Sequence, residues 1–224
     1  MKYSPYSFSK LSTHNQCNRK FKYTYIEKAP KSEKDMTPLL KGGAVHSILE
    51  HYPNKSPHKL AEKYQHIANK FLETDIAKEI FFGDSVREYD FGLTKDLKPT
   101  KYNDKEALFR GSIDYIFTTD KLNLIDFKTG KAKEQKWQSF DQLMFYAIYF
   151  FQKYPNINEI NISYVYVEHE NYHNSIILER QYLKNYISQL LTLIKNVETD
   201  TEFKKNESKL CDWCEFKEYC TKDI

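Results

Sequence analysis

The sequence predicts an α/β fold: a mixed β-sheet with helices packed against it, folded as one domain over residues 1–224. Three observations predict it. Apolar residues spaced for helices give way near residue 85 to strand-like alternation, and the two periodicities then exchange places down the chain. Two apolar runs, 107–118 and 122–128, lie close enough to form a hairpin. Hydrophobic residues make up 40 % of the chain, enough for a sizeable core, and no proline-rich linker divides it.

Ser9 is placed to cap a helix of about 15 residues that runs through Cys17 and Phe21. A charged loop with Pro30 covers 29–37. A helix from about residue 38 carries Leu39, Leu40, Val45, Ile48 and Leu49, and stops before Pro53. A second, over about 57–79, puts Leu60, Tyr64, Ile67, Ala68, Phe71 and Leu72 on one face. Residues 86–93 alternate as a strand, and the hairpin follows. Helical spacing returns at Trp137, Phe140, Leu143, Met144, Ala147, Ile148 and Phe151. Strands at 160–168 and 175–179 precede a last helix over about 183–197 and a cysteine-bearing tail.

The 18 Tyr and 15 Phe fit AT-rich coding and carry no functional message. A net charge of +3 permits nucleic acid without demanding it. No apolar run approaches the roughly 18 residues of a membrane span, so no membrane partner is expected. Residues 1–10 lack an apolar leader core. Those features predict a cytoplasmic, reducing setting, in which clustered cysteines more often hold metal than form disulfides.

The most specific feature is Gly111-Ser112-Ile113-Asp114-Tyr115 followed by Ile125-Asp126-Phe127-Lys128-Thr129-Gly130. Asp126 and Lys128, two apart on a strand, project to one face. The bland alternative is an ion pair at a strand end before a glycine turn. A charged pair in an otherwise apolar strand is costly to bury alone. A divalent cation between Asp114 and Asp126 would neutralise both, and Lys128 could orient or help deprotonate the water that attacks phosphorus. The two aspartates share a face only if the hairpin loop is odd in length: Thr119–Lys121 would pair 118 with 122 and set Asp114 opposite Asp126.

Asp114 with Asp126-Phe127-Lys128 resembles the D…(D/E)-x-K signature of the PD-(D/E)XK nuclease superfamily, whose core is restriction-endonuclease-like. The surrounding strings are similar to its RecB-like branch. Gly42-Gly43-Ala44-Val45-His46 fits that branch's G-x-x-x-H, and Gln142-Leu143-Met144-Phe145-Tyr146 fits its Q-x-x-x-Y. Four motifs in order across residues 46–146 are far more specific than any one of them. The resemblance implies His46, Asp114 and Asp126 as side-chain ligands of Mg2+ or Mn2+, with the Phe127 carbonyl completing the site. It implies that Gln142 and Tyr146, one turn apart on a helix, position DNA or hold Lys128. Glu88, on the strand ahead of the hairpin, is a candidate accessory acid.

Cys211, Cys214 and Cys220 form a C-x2-C-x5-C run that could be half a zinc ribbon or part of a cluster site, with Cys17 the only other cysteine. One N-terminal plus three C-terminal cysteines resembles the iron–sulfur staple of the AddB nuclease domain and of RecB-like CRISPR-associated exonucleases. That resemblance implies a [4Fe–4S] cluster on Cys17, Cys211, Cys214 and Cys220, joining segments 1–35 and 199–224. Zn2+ is the chemically compatible alternative.

The function implied is a metal-dependent DNA exonuclease that cuts single strands or DNA ends, 5′ to 3′ as in the cluster-bearing relatives, leaving 5′-phosphate and 3′-hydroxyl. Lys10, Arg19, Lys20 and Lys22 could line its strand-binding face. Helicase, recombination or CRISPR-adaptation partners and a phage, repair or recombination setting follow from the same resemblance. Two other readings compete: a catalytically silent DNA-end-binding or assembly module, and a redox-sensing iron–sulfur protein.

Overall fold

The fork between two neighbouring strands positions everything of interest. In the computed structural model, which describes residues 2–32, 36–81 and 84–222, strands β1 (Ser85–Thr94), β2 (Pro99–Thr100), β3 (Ala107–Thr118), β4 (Leu122–Lys128), β5 (Glu159–Tyr166) and β6 (His173–Glu179) form one sheet in the order β2-β1-β3-β4-β5-β6. All neighbours are antiparallel except β4 and β5. Such a parallel step needs a crossover, and helix α6 (Asp141–Lys153) supplies it. Leu124, Ile125 and Phe127 of the central β4 are buried on alternating sides, as helices on both faces require.

The β3–β4 pairing runs from Thr118↔Leu122 to Tyr115↔Ile125 and ends there. The loop is therefore the odd one expected, three residues closed by Thr119 N–H donating to the Lys121 carbonyl. Past the fork, the freed edge of β3 is covered by the N-terminal segment: Tyr6 donates to the Leu108 carbonyl and accepts from the Arg110 N–H.

Two helices pack on one face, α6 and α7 (Leu183–Thr199), joined by the N-terminal helix α1 (Phe8–Gln16). The other face carries α3 (Thr37–His51), α4 (Ala61–Leu72) and α5 (Asp75–Ile80), whose Val45, Ile48, Phe71 and Ile80 close on Tyr115, Ile125 and Phe127. Helix α3 starts with Pro38 in its first turn, where a missing N–H costs nothing. Arg87 of β1 donates to the carbonyls of Glu50 (2.9 Å) and Tyr52 at its C-terminus, tying α3 to the sheet.

Local competition reshaped two expected helices. The first is capped by Ser7, whose Oγ accepts from the Lys10 N–H, and not by Ser9. It breaks at Cys17, whose extended backbone (φ −161°) separates α1 from the short α2 (Asn18–Phe21) and a π-helical turn, Lys22–Glu27. Asn18 and His14 both bond Asp200, which draws the break towards the C-terminal segment. The expected 57–79 helix starts at Ala61 and divides at Thr74, whose hydroxyl donates to the Phe71 carbonyl and accepts from the Ala77 N–H to cap α5. Of the expected loop 29–37, residues 33–35 lie outside the described residues. The two-residue β2 went unanticipated; it is too short to show alternation.

Alternation itself reverses once in each of β1 and β3. Val86 and Tyr89 both face α6, while Arg87 between them stacks on Phe81 and Tyr115 on the other side. Ile113 and Ile116 likewise both face α6, with Tyr115 opposite. The breaks fall on Glu88 and Asp114, which lie across from one another between the pairs Arg87↔Tyr115 and Tyr89↔Ile113. Glu88 sits at φ 45°, in the left-handed region, where a non-glycine residue costs on the order of 1–3 kcal/mol. Strain of that kind concentrates at functional sites.

Candidate active site

At the β3–β4 fork, Asp114 and Asp126 come together. The Phe127 N–H donates to Asp114 Oδ2 at 2.7 Å in place of a ladder bond. Lys128 turns its carbonyl to β5, where it accepts from Val167. Backbone groups alternate sides along a strand, so the Phe127 carbonyl turns towards β3 and the aspartate. Helix α3 brings His46 from the far face of the sheet, and its Nδ1 lies 3.4 Å from the same Asp114 oxygen. Gly42 eases that approach: a Cβ there would lie 3.3 Å from Thr129 Oγ1, a tight contact.

His46, Glu88 and Asp114 each aim a donor atom into one space, all within 4.8 Å of one another. Asp126 is not a member of that trio. It is buried, and its Oδ2 pairs with Lys128 Nζ at 2.5 Å. Gln142 of α6 spans the pair: its Nε2 donates to Asp126 Oδ1 at 2.8 Å, and its Oε1 accepts from Lys128 Nζ at 3.5 Å. Gln142 Nε2 also reaches the Tyr146 hydroxyl at 3.4 Å. Tyr146 closes over Gly111, where a Cβ would stand 2.6 Å from the Phe91 ring and 2.7 Å from the Tyr146 ring, so no larger residue fits.

The electrostatics are those of crowded anions. Burial and the Asp114 charge push Glu88 up to about 7. Burial and the Asp114 charge also raise Asp126, against the pull of Lys128 and His46. Burial disfavours a charged His46, yet the hydrogen bond and charge of Asp114, with Asp126 and Glu88 beyond, raise it to about 9. Burial lifts Tyr146 to about 12, which keeps its hydroxyl protonated.

This donor set fits a divalent cation. One imidazole and hard carboxylate oxygens converge, and the Asp114 charge raises the proton affinity of both Glu88 and Asp126, as crowded anions do where a cation would sit.

Residues 5–221 match the profile of the PD-(D/E)XK nuclease superfamily. The chain belongs to that superfamily. Its members use divalent metal ions, and membership implies DNA as the substrate class. Among solved structures, one described as a candidate exonuclease from Eubacterium rectale is similar over 93 % of this chain and 86 % of its own, with a TM-score of 0.52 and 13 % identity. That likeness speaks to the fold. The structure of SSO0001 aligns over 84 % of this chain and 97 % of that one, with a TM-score of 0.35 and 14 % identity. No curated protein matches the chain. Among the described residues, no helix is long and apolar enough to cross a membrane.

The four cysteines of the nuclease line one cavity of about 540 Å3 between the Cys17 break and the C-terminal segment. Burial raises the Cys220 thiol, with Cys17 and Cys214 adding to the rise against Lys205 and Tyr23. The basic residues expected on a strand-binding face have other tasks. Lys10 donates to the Tyr3 carbonyl, Arg19 Nε to that of Phe203, Lys20 pairs with Glu215 and Lys22 with Glu27. Sequence reasoning missed Tyr164, whose ring lies 4.8 Å from Lys128 Nζ. The parallel register that pairs Asp126 with Tyr164 would have pointed to it, but register between β4 and β5 is not readable from one strand alone.

Proposed function

We propose that the protein is a metal-dependent DNA exonuclease of the RecB-like branch, acting on single strands or DNA ends with 5′-to-3′ polarity. The observation that supports it best is the convergence of His46, Glu88 and Asp114 beside the ion pair of Asp126 with Lys128. His46, Asp114, Asp126 and the Phe127 carbonyl would hold the cation, with Glu88 as a further ligand. When bound, it supplies positive charge to the phosphate oxygens and lowers the pKa of water.

Lys128, cationic beside Asp126, orients the attacking water in line with the scissile bond and stabilises the charge that builds on phosphorus. Gln142 and Tyr146 fix the rotamers of Asp126 and Lys128, so that little reorganisation is left for the reaction. The water oxygen bonds to phosphorus as the water gives up a proton to solvent, the bond to the 3′ oxygen breaks, that oxygen takes a proton from solvent, and 5′-phosphate and 3′-hydroxyl ends remain.

Cys17, Cys211, Cys214 and Cys220 would carry a structural [4Fe–4S] cluster, with Zn2+ as the alternative; their shared cavity supports a four-thiolate site. The resemblance extends to DNA repair, recombination, phage or CRISPR settings in the cytoplasm.

Digestion of 5′- and 3′-labelled single strands with Mg2+ or Mn2+ tests the reading. Stepwise shortening from the 5′ end is expected. Cutting of circular single strands overturns the exonuclease assignment, and DNA binding without digestion in either metal favours the silent end-binding module.

A further inference from the structure

The segment 129–140, between the catalytic strand and α6, is tethered at many points. Ala132 N–H donates to His169, and the Lys133 carbonyl accepts from Tyr172 and Asn174. Gln135 donates to the Ser175 carbonyl. The Tyr166 hydroxyl donates to Gln138 at 2.6 Å. Tyr166 is the register partner of Lys128, and Phe140 lies against Tyr164 at 5.5 Å, so the segment's end runs along the row that carries the lysine of the site.

One residue beyond that row stands Trp137, 73 % exposed. A residue of this size left in water on a well-tethered loop pays no packing debt, and the short helical turn Gln135–Trp137 gives it a fixed base. Lys136 Nζ, paired with Glu134 at 2.7 Å, lies 5.7 Å from its ring centroid. Residues 128–140 hold four lysines (128, 131, 133 and 136) against one glutamate. An exposed indole on the lysine-bearing segment that leads from Lys128 to α6 has the chemistry of a single-strand platform: bases stack on the ring while lysines meet phosphates.

We propose that Trp137 is a base-stacking platform for single-stranded DNA, with Lys131 and Lys133 along the backbone of the strand. The proposal rests on the nuclease reading above, and it deepens it by naming what selects single strands: a base face is available for stacking only where the strand is unpaired.

The test uses the full chain in Ca2+, with a labelled oligothymidylate and a blunt duplex of equal length, followed by anisotropy and by tryptophan fluorescence. Stacking quenches the indole, so the oligothymidylate should quench wild-type emission, and Trp137→Phe should lose that component. Trp137→Ala should weaken single-strand binding about 5- to 100-fold, Trp137→Phe should restore most of it, and duplex binding should move far less. Oligothymidylate that binds without quenching, or Trp137→Ala that binds it as wild type does, overturns the platform and leaves the nuclease reading standing. Equal quenching by blunt duplex also overturns it. Failure to bind any DNA sinks both together.

Discussion

Gln142 donates to Asp126 Oδ1 at 2.8 Å while its other amide atom accepts from Lys128, so one side chain on α6 sets the relative position of the acid and the base on β4. The two charged residues are neighbours on one face of a strand, but a strand alone leaves their rotamers free. The amide, with one donor end and one acceptor end, matches the pair in the only orientation that satisfies both.

Asp126→Ala and Lys128→Ala should each lower DNA cleavage by about 100-fold or more, because both act on charge that develops in the transition state. Single-strand binding, measured by anisotropy, should change little. Near-wild-type digestion by purified Asp126→Ala would falsify the site.

Gln142→Leu should lower kcat about 10- to 100-fold with KM nearly unchanged, as expected for a residue that positions others. Its melting temperature should stay close to wild type, because Gln142 is only half-buried and leucine suits the apolar helix face around it. A proportional loss of kcat and folded protein would instead mark a packing role.

Cys214→Ala should remove bound metal and lower melting temperature and nuclease activity together. Coordination across Cys17 and Cys211–Cys220 closes most of the chain into one loop, and structural metal binding contributes folding free energy directly. Anaerobically purified wild type should be brown and the variant colourless. Colourless wild type with one equivalent of zinc replaces the cluster but keeps the staple; unchanged stability in the variant removes the staple.

Acid should undock the N-terminal segment first. Burial opposes the charge on Asp200, but the Phe203 N–H, His14, Asn18 and the Glu202 N–H together hold its carboxyl below the ordinary value of 3.8. Glu198 is likewise held below 4.5, against burial, by Tyr6 and the Lys2 and Tyr3 N–H groups. A carboxylate depressed in the folded state contributes stability that is full above its unfolded value and is lost as pH falls through its folded one. Melting temperature should therefore drop below about pH 4. Asp200→Asn should be less stable at neutral pH and should show a shallower acid limb. An acid limb as steep as wild type would show that other carboxylates carry it.

Much of this protein was legible in its sequence, for reasons that lie in local geometry. Period-two and helical patterns depend on side-chain direction within an element, so the hairpin, α3, α6 and α7 could be read from their own residues. The odd loop followed from the need to bring Asp114 and Asp126 to one place, and the Thr118↔Leu122 pairing has that length. His46 and Gln142 could be found only as members of an ordered motif set, since neither is distinguishable alone from an ordinary histidine or glutamine.

What the tertiary structure decided involves pairs of elements that are distant in sequence. The reversal of alternation at Glu88 and Asp114 exists because two strands break phase at facing positions, and that brings the Glu88 carboxylate within 4.8 Å of the His46 and Asp114 ligand atoms, where alternation alone gave it only an accessory place. The break at Cys17 depends on Asp200, more than 180 residues away, out-competing a continued helix for His14 and Asn18. The partners of the basic residues expected on that first helix were set in the same way: lysine and arginine side chains are long enough to choose partners from any neighbour, and those neighbours are set by packing. Sequence by itself therefore determined the fold class, most of the elements and the superfamily motifs; which atoms meet was decided by the sheet's fork and by the closure of the chain's two ends, because contact between remote segments is a property of the packed whole.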